Sequence, residues 1–205
     1  MPQTPVPEIV VERLPLYLRT LSFLKREGKV ITSSQELGAR LGFTSAQIRK
    51  DLSYFGEFGK QGTGYNISFL EDQLRKILHV DHVWDVVVIG AGDLGRALVH
   101  YRGFDTENFR LVAIFDNAPQ KIGTRVDELT VQNMFCLPQV IQDKNIKVVI
   151  LAVPAQVAQQ VTNTVVELGV RAILNYAPIT LTTPKNVRVY YIDPVTGLQS
   201  MAYYL

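Results

Sequence analysis

The sequence predicts a two-part α/β chain: a winged helix-turn-helix module over residues 1–79, then a doubly wound parallel sheet of the Rossmann type over 80–205. Three observations predict it. Hydroxyl-capped helices with a glycine turn between them fall in the first part. A stretch with four glycines in nine residues, Gly56 to Gly64, follows them. From Asp85 onward short apolar strands alternate with helices, and the first strand runs straight into a glycine-rich turn.

The chain has 205 residues, enough for one domain or two small ones. Hydrophobic residues make up 47% and charged residues 20%, ordinary globular values. No run of about 18 apolar residues exists, so no membrane span is expected. The N-terminus lacks the basic and apolar regions of a signal peptide, so a cytoplasmic location is expected. One cysteine, Cys136, excludes a disulfide framework and a Cys-built zinc site. His79, His82 and His100 are too few for a rich metal cluster, so no metal is expected. Net charge is +2, but residues 1–80 carry 11 Lys/Arg against 8 Asp/Glu, and the remainder 10 against 11. That mild basic bias permits nucleic-acid contact by the first part.

In the first part, Leu14, Leu18, Leu21 and Leu24 recur at helical spacing, with Pro15 near the helix start and Gly28 at its end. Three capping boxes follow: Ser33 with Glu36, Thr44 with Gln47, and Ser68 with Glu71. They predict helices starting near residues 34, 45 and 69, and Gly42-Phe43 supplies the turn of a helix-turn-helix over 17–56.

The helix after Thr44 carries the chemistry. Ile48, Leu52 and Phe55 form its apolar face. Ala46, Lys50 and Ser53 point the opposite way, with Arg49 and Tyr54 on the flanks. Small residues let such a helix approach a major groove, and Arg and Lys reach guanine edges or phosphates. Ser45 and Gln47 in its first turn complete the candidate DNA-binding set. The glycine-rich stretch reads as a two-stranded hairpin, a wing, with Lys60-Gln61 at its tip against the DNA backbone or minor groove. A solvated helix face and an ordinary loop are the competing readings of these parts taken singly.

In the second part, Asp85 to Ile89 is a buried strand that leads into Gly90-Ala91-Gly92-Asp93-Leu94-Gly95, with Arg96 continuing as helix. The glycines allow a tight turn, close approach to a pyrophosphate and helix–strand packing. Asp93 puts a negative charge in that loop, unless it begins the helix, where Asp is favourable. A second strand, 110–115, ends in Asp116, placed to bond ribose hydroxyls and repel a 2′-phosphate. No Arg follows in Asn117-Ala118-Pro119, so NAD is favoured over NADP. Strands at 147–152 and 172–175 end in Val153-Pro154-Ala155 and Asn175-Tyr176-Ala177-Pro178, along the carboxyl edge where such sheets bind ligands. Between them, residues 156–168 form a helix with Val157, Val161, Val165 and Leu168 on one face. A strand over 187–192 precedes Asp193-Pro194, a cap and first-turn proline, and a terminal helix over 194–205. Its stripe of Leu198, Met201 and Leu205 must dock on its own sheet or on a second subunit.

The chain resembles one family, the bacterial redox-sensing transcriptional repressor Rex. The matching stretches are Tyr17-Leu18-Arg19, the run from Gln47 to Gly56, Gly62 to Tyr65, Gly90 to Arg96, Val153-Pro154-Ala155 and Asn175 to Pro178. The run over 47–65 is specific; the glycine motif is not. The resemblance implies a homodimer that binds double-stranded operator DNA through winged helices and senses NADH against NAD+, NADH releasing the DNA. It also implies a C-terminal helix exchanged between subunits and an interdomain switch between Arg19 and Asp193. Asp93 stands where the family pattern has Asn, which bears on cofactor affinity and not on its identity.

The alternative is an NAD-dependent oxidoreductase with an appended helical domain. Such an enzyme needs an acid/base group at the nicotinamide. No Tyr-x-x-x-Lys pair occurs, and His100 falls away from the carboxyl edge, so no catalytic residue is assigned. A nucleotide or coenzyme A binding module without DNA is the third reading.

Overall fold

The computed structural model describes residues 6–59 and 63–205. The chain divides into two compact units between His82 and Val83.

In the first unit, α1 (Glu8–Arg26), α2 (Ser34–Leu41), α3 (Ser45–Ser53) and α4 (Ile67–Ile77) surround one core, with a small ladder of β1 (Ile31–Thr32) and β2 (Tyr65–Asn66). Helix α1 is longer than its leucine stripe predicts and starts at Glu8. Pro15 therefore lies in its interior, where it cannot donate to the Val11 carbonyl; both residues are on the exposed side. The helix stops as expected at Gly28: the Gly28 and Lys29 amides bond the carbonyls of Lys25 and Leu24, a Schellman ending. Leu14, Leu21 and Leu24 of α1 pack with Leu37, Ile48, Leu70 and Leu74 from the other three helices, all fully buried. Burial of each such side chain is worth roughly 1.5–3 kcal/mol.

Ser33 and Thr44 accept from the Glu36 and Gln47 amides, as the capping boxes predict. Ser68 does not cap α4. Asn66 takes that role by accepting from the Phe69 amide. Glu71, the other half of the predicted box, is buried instead, bonded to Ser22 and Lys25 of α1. The predicted hairpin over 56–65 also differs. No strand forms in residues 56–59; β2 pairs antiparallel with β1, which lies between α1 and α2. Glycine costs a strand backbone entropy and gives it no side chain to pack, so the paired strand comes from Ile31-Thr32. The wing-tip residues Lys60 and Gln61 lie outside the described residues.

The second unit contains β3 (Trp84–Ile89), α5 (Asp93–His100), α6 (Gly103–Thr106), β4 (Phe109–Asp116), β5 (Arg125–Val126), β6 (Leu129–Asn133), α7 (Leu137–Asp143), β7 (Val148–Leu151), α8 (Ala155–Glu167), β8 (Ala172–Asn175), β9 (Arg188–Tyr191) and α9 (Pro194–Ala202). The sheet order is β5-β6-β4-β3-β7-β8-β9, parallel throughout except for the β5–β6 hairpin at its edge. Without the edge strand β5 the order is the 3-2-1-4-5-6 of a dinucleotide-binding sheet. Alternation along β3 feeds two cores. Val87 and Ile89 face α7 and α8; Val86 and Val88 face α5. Both faces are covered, which is why the strands read as unbroken apolar runs.

In α8 the buried face is Ala158, Thr162 and Val165, while Val157 is exposed. The predicted stripe of four apolar residues therefore serves two surfaces, since only part of it meets the sheet. In α9 the Asp193 carboxylate accepts from the Val195 amide, and Pro194 opens the helix as expected. None of its residues is buried, and Leu198 and Met201 are 63% and 64% exposed.

Candidate functional site

Strands β3 and β7 stay paired to their carboxyl ends, and the crossovers that follow them depart in opposite directions and leave a crevice beyond those ends. A cleft of about 790 Å³ opens there. Of the sequence-predicted cofactor residues, Gly90, Gly92, Asp93, Leu94, Asp116, Val153 and Pro154 line it. Ala91, Gly95 and Arg96 do not; they hold its floor together.

Gly90 lies at φ +105°, and a Cβ there would sit 2.2 Å from the Ala152 carbonyl oxygen. A Cβ at Gly95 would sit 1.8 Å from the Gly90 carbonyl oxygen. The first glycine thus lets the turn pass the β7 end, and the third lets α5 pack on the turn. Gly92 caps α5 without a side chain, so the first amides of that helix are left for a ligand, an arrangement suited to phosphate. Asp93 is the first residue of α5 and is exposed at the cleft wall. That settles its backbone role: it begins the helix, where its charge is favourable to the helix dipole.

Asp116 is buried at the end of β4 and faces the cleft. Its Oδ2 accepts from the Ala91 amide at 2.8 Å and from Lys121 Nζ at 2.9 Å; its Oδ1 accepts from the Ala118 amide at 2.9 Å. Burial works against ionisation, but these donors prevail and hold the carboxyl below its ordinary value. Arg96 links Ala91 O and Thr124 Oγ1 from below.

The turn at 175–178 is not brought into the cleft. Asn175 is buried, donates to the carbonyls of Ala177 and Ile179, and accepts from the Ala177 amide. Its amide group is used up in closing its own loop. Asn175, Ala177 and Pro178 line a separate hollow of about 290 Å³, together with Tyr191 and Asp193. Tyr176 is half-buried against the α5 side of the sheet, and burial pushes its phenol up. His100, at the end of α5, is exposed and lies outside the cleft lining.

Sequence reasoning missed the opposite wall. Residues 117–146 carry no simple periodicity, yet Lys121, Met134, Phe135 and Pro138 line the cleft from there, facing Val157 and Val161 of α8. The signal available was the apolar run Met134 to Pro138 after a strand. Phe135 is 92% exposed at the rim.

In the first unit, α3 presents the predicted face. Ala46, Arg49, Lys50 and Ser53 are exposed; Ser45, Gln47 and Tyr54 are partly covered. Arg49 donates to Ser34 Oγ of α2 at 3.1 Å, and Ser53 Oγ to the Lys50 carbonyl. Gln47 is not free for a base edge: its side-chain amide donates to Asp51 at 2.6 Å. Asp51 itself was not singled out from sequence. It is fully buried on α3, bonded by Arg13 through Nε and Nη2 at 2.6 and 2.8 Å, and by the Tyr17 hydroxyl at 2.5 Å. Burial opposes its charge, but Arg13, Tyr17 and Gln47 hold the carboxyl below its ordinary value. Burial, with Asp51 beside it, pushes the Tyr17 phenol up. Arg19 is exposed on the same helix α1.

Among the described residues, no group of three or more His, Cys, Asp or Glu could hold a metal ion, and no helix is long and apolar enough to cross a membrane.

Residues 5–53 match a family model described as "Putative DNA-binding protein N-terminus", and residues 81–179 match one described as "CoA binding domain". The chain is 53% identical over 199 residues to the redox-sensing transcriptional repressor Rex of Chloroflexus aurantiacus, covering 97% of this chain and 94% of that protein. It is 44% identical over 200 residues to the Rex of Brevibacillus brevis, covering 98% and 97%. Among solved structures it is similar to RSP in complex with beta-NAD+ and operator DNA, with TM-score 0.93, 36% identity, and 98% and 93% of the two chains covered. It is also similar to RSP in complex with beta-NADH, with TM-score 0.88, 34% identity, and 98% and 94% covered. The chain belongs to the Rex family of redox-sensing transcriptional repressors.

Proposed function

We propose that this chain is a DNA-binding transcriptional repressor that senses the NADH/NAD+ ratio, with NADH releasing operator DNA. The observation that carries it is the presence in one Rex-family chain of an exposed basic α3 face and a dinucleotide-type cleft. RSP, of the same fold and a third identical, has been solved with NAD+ and operator DNA and with NADH. Residues 1–79 are the DNA-binding domain and 80–205 the cofactor domain. The α5 amides and Gly90-Ala91-Gly92 take the pyrophosphate, Asp116 the ribose, and Val153-Pro154 the cleft wall toward the nicotinamide. Ser45, Ala46, Arg49, Lys50, Ser53 and Tyr54 meet the major groove, with Gln47 acting through Asp51. No residue is assigned a catalytic role.

The partner copy is a second chain of the same kind. Helix α9 exposes Val195, Leu198 and Met201, a stripe that water penalises and a partner subunit would cover. Two recognition helices must lie about 34–36 Å apart to enter successive major grooves, which a dimer provides. Family resemblance assigns Arg19 and Asp193 the switch between domains; full NADH response in Asp193→Ala would remove that assignment. A repressor of this kind acts in the cytoplasm. The test of function is a titration of operator binding against both nucleotides, alongside a dehydrogenase assay in which no turnover is expected.

A further inference from the structure

The ribose end of the cleft is not simply acidic. Asp116 shares it with Lys121, whose ammonium lies 2.9 Å from Oδ2. The lysine is held by a closed ring of hydrogen bonds. Thr124 Oγ1 donates to the Lys121 carbonyl at 2.7 Å, and Arg96 Nη2 donates to Thr124 Oγ1 at 3.0 Å. Arg96 Nε donates to the Ala91 carbonyl at 3.2 Å, and the Ala91 amide returns to Asp116. The phosphate loop, the end of β4 and the turn carrying Lys121 are therefore one connected frame, and the ammonium sits in it by construction.

Two consequences follow from the charge and the donor count. A carboxylate offers about four acceptor positions, and Asp116 already uses three, on Ala91, Lys121 and Ala118. One remains for a ribose hydroxyl unless Lys121 swings away. The Asp116 charge that would repel a 2′-phosphate is also matched by an opposite charge at contact distance. The Lys121 side chain is 33% exposed against 9% for Asp116, so the ammonium is the part free to turn toward an incoming anion.

We propose that Lys121 sets how strictly this cleft discriminates a 2′-hydroxyl from a 2′-phosphate dinucleotide, by neutralising Asp116 and offering a cation to the phosphate. The inference rests on the dinucleotide reading of the cleft and names the residue that tunes it. A bare Asp116 would reject NADPH strongly; Asp116 with Lys121 rejects it weakly.

The experiment is calorimetric titration of the full-length protein with NADH and with NADPH, for wild type, Lys121→Met, Lys121→Gln and Lys121→Arg. Wild type binds both, NADH more tightly. In Lys121→Met or Lys121→Gln the ratio Kd(NADPH)/Kd(NADH) rises about tenfold, equivalent to about 1.4 kcal/mol. In Lys121→Arg, which keeps the charge, the ratio stays within about threefold of wild type. A ratio unchanged or lowered in whichever neutral variant is soluble overturns the role of Lys121. So does a ratio that rises in Lys121→Arg as much as in the neutral variants. Wild type that binds NADH while the ratio ignores Lys121 sinks this inference alone; wild type that binds neither nucleotide sinks the dinucleotide reading with it.

Discussion

Arg13 of α1 forms a two-pronged ion pair with Asp51, a carboxylate with no exposed surface on α3. Tyr17 and Gln47 complete the cage. Helix α3 is thus fixed to α1 by charge as well as by Ile48 and Leu52 in the core. Removing one partner of a buried pair costs about 3–5 kcal/mol, because the other is left uncompensated. Asp51→Ala is expected to raise amide exchange throughout α3 and to weaken operator binding, with NADH affinity preserved. Normal exchange protection in α3 would show that the cage does not position the helix.

The same pair sets a pH dependence. The folded-state pKa of Asp51 is depressed, so its stabilisation is present above the unfolded value of about 3.9 and is lost as pH falls through the folded value. The stability gap between wild type and Asp51→Asn should therefore be widest at neutral pH and shrink below about pH 4. Urea unfolding followed at α1 and α3 by hydrogen exchange measures it. A gap that widens in acid would contradict the ionised pair.

Arg49 and Lys50 are exposed on α3, away from its core face. Alanine at either should weaken operator binding and lower the slope of log affinity against log salt by about one if the contact is to phosphate. NADH affinity of the free protein should not move. An unchanged operator affinity for both variants would take α3 out of the interface.

Asp93 places its charge at the N-terminus of α5, beside the amides proposed to hold a pyrophosphate. Asp93→Asn is expected to tighten NADH binding a few-fold at low salt, with the gain fading at high salt as screening grows. Weaker binding in the variant would mean that Asp93 holds the ligand through a hydrogen bond.

Asp116→Ala removes the proposed ribose acceptor and leaves Lys121 without its counter-charge. NADH should bind more weakly and NADPH more tightly, so discrimination narrows. Unchanged affinity for both nucleotides would remove Asp116 from the site.

Much of this was legible in the sequence because the signals were local. The apolar strand before Gly90, the cap at Ser33 or Thr44 and the glycine after α1 each act over a few residues. What was not legible depends on distant partners. Asp51 reads as one more polar residue on an amphipathic helix until Arg13, 38 positions away, is found against it. Ser68 lost its cap to Asn66 because Glu71 is drawn into the α1–α4 contact. Strand β2 found β1 rather than its glycine-rich neighbour. The far cleft wall, with Lys121 and Phe135, lies in a segment of short elements whose purpose appears only when the sheet closes beside them.

One chain is expected to couple nicotinamide redox state to operator binding. The direct measurement is operator affinity of the full-length protein in saturating NADH and in saturating NAD+, at one fixed salt concentration. A coupling of about 1–3 kcal/mol, roughly 5- to 150-fold, is expected, with NADH giving the weaker binding; by linkage, operator DNA should weaken NADH binding by the same factor. Equal operator affinity with the two nucleotides would contradict the account and leave a DNA-binding protein with a structural cofactor.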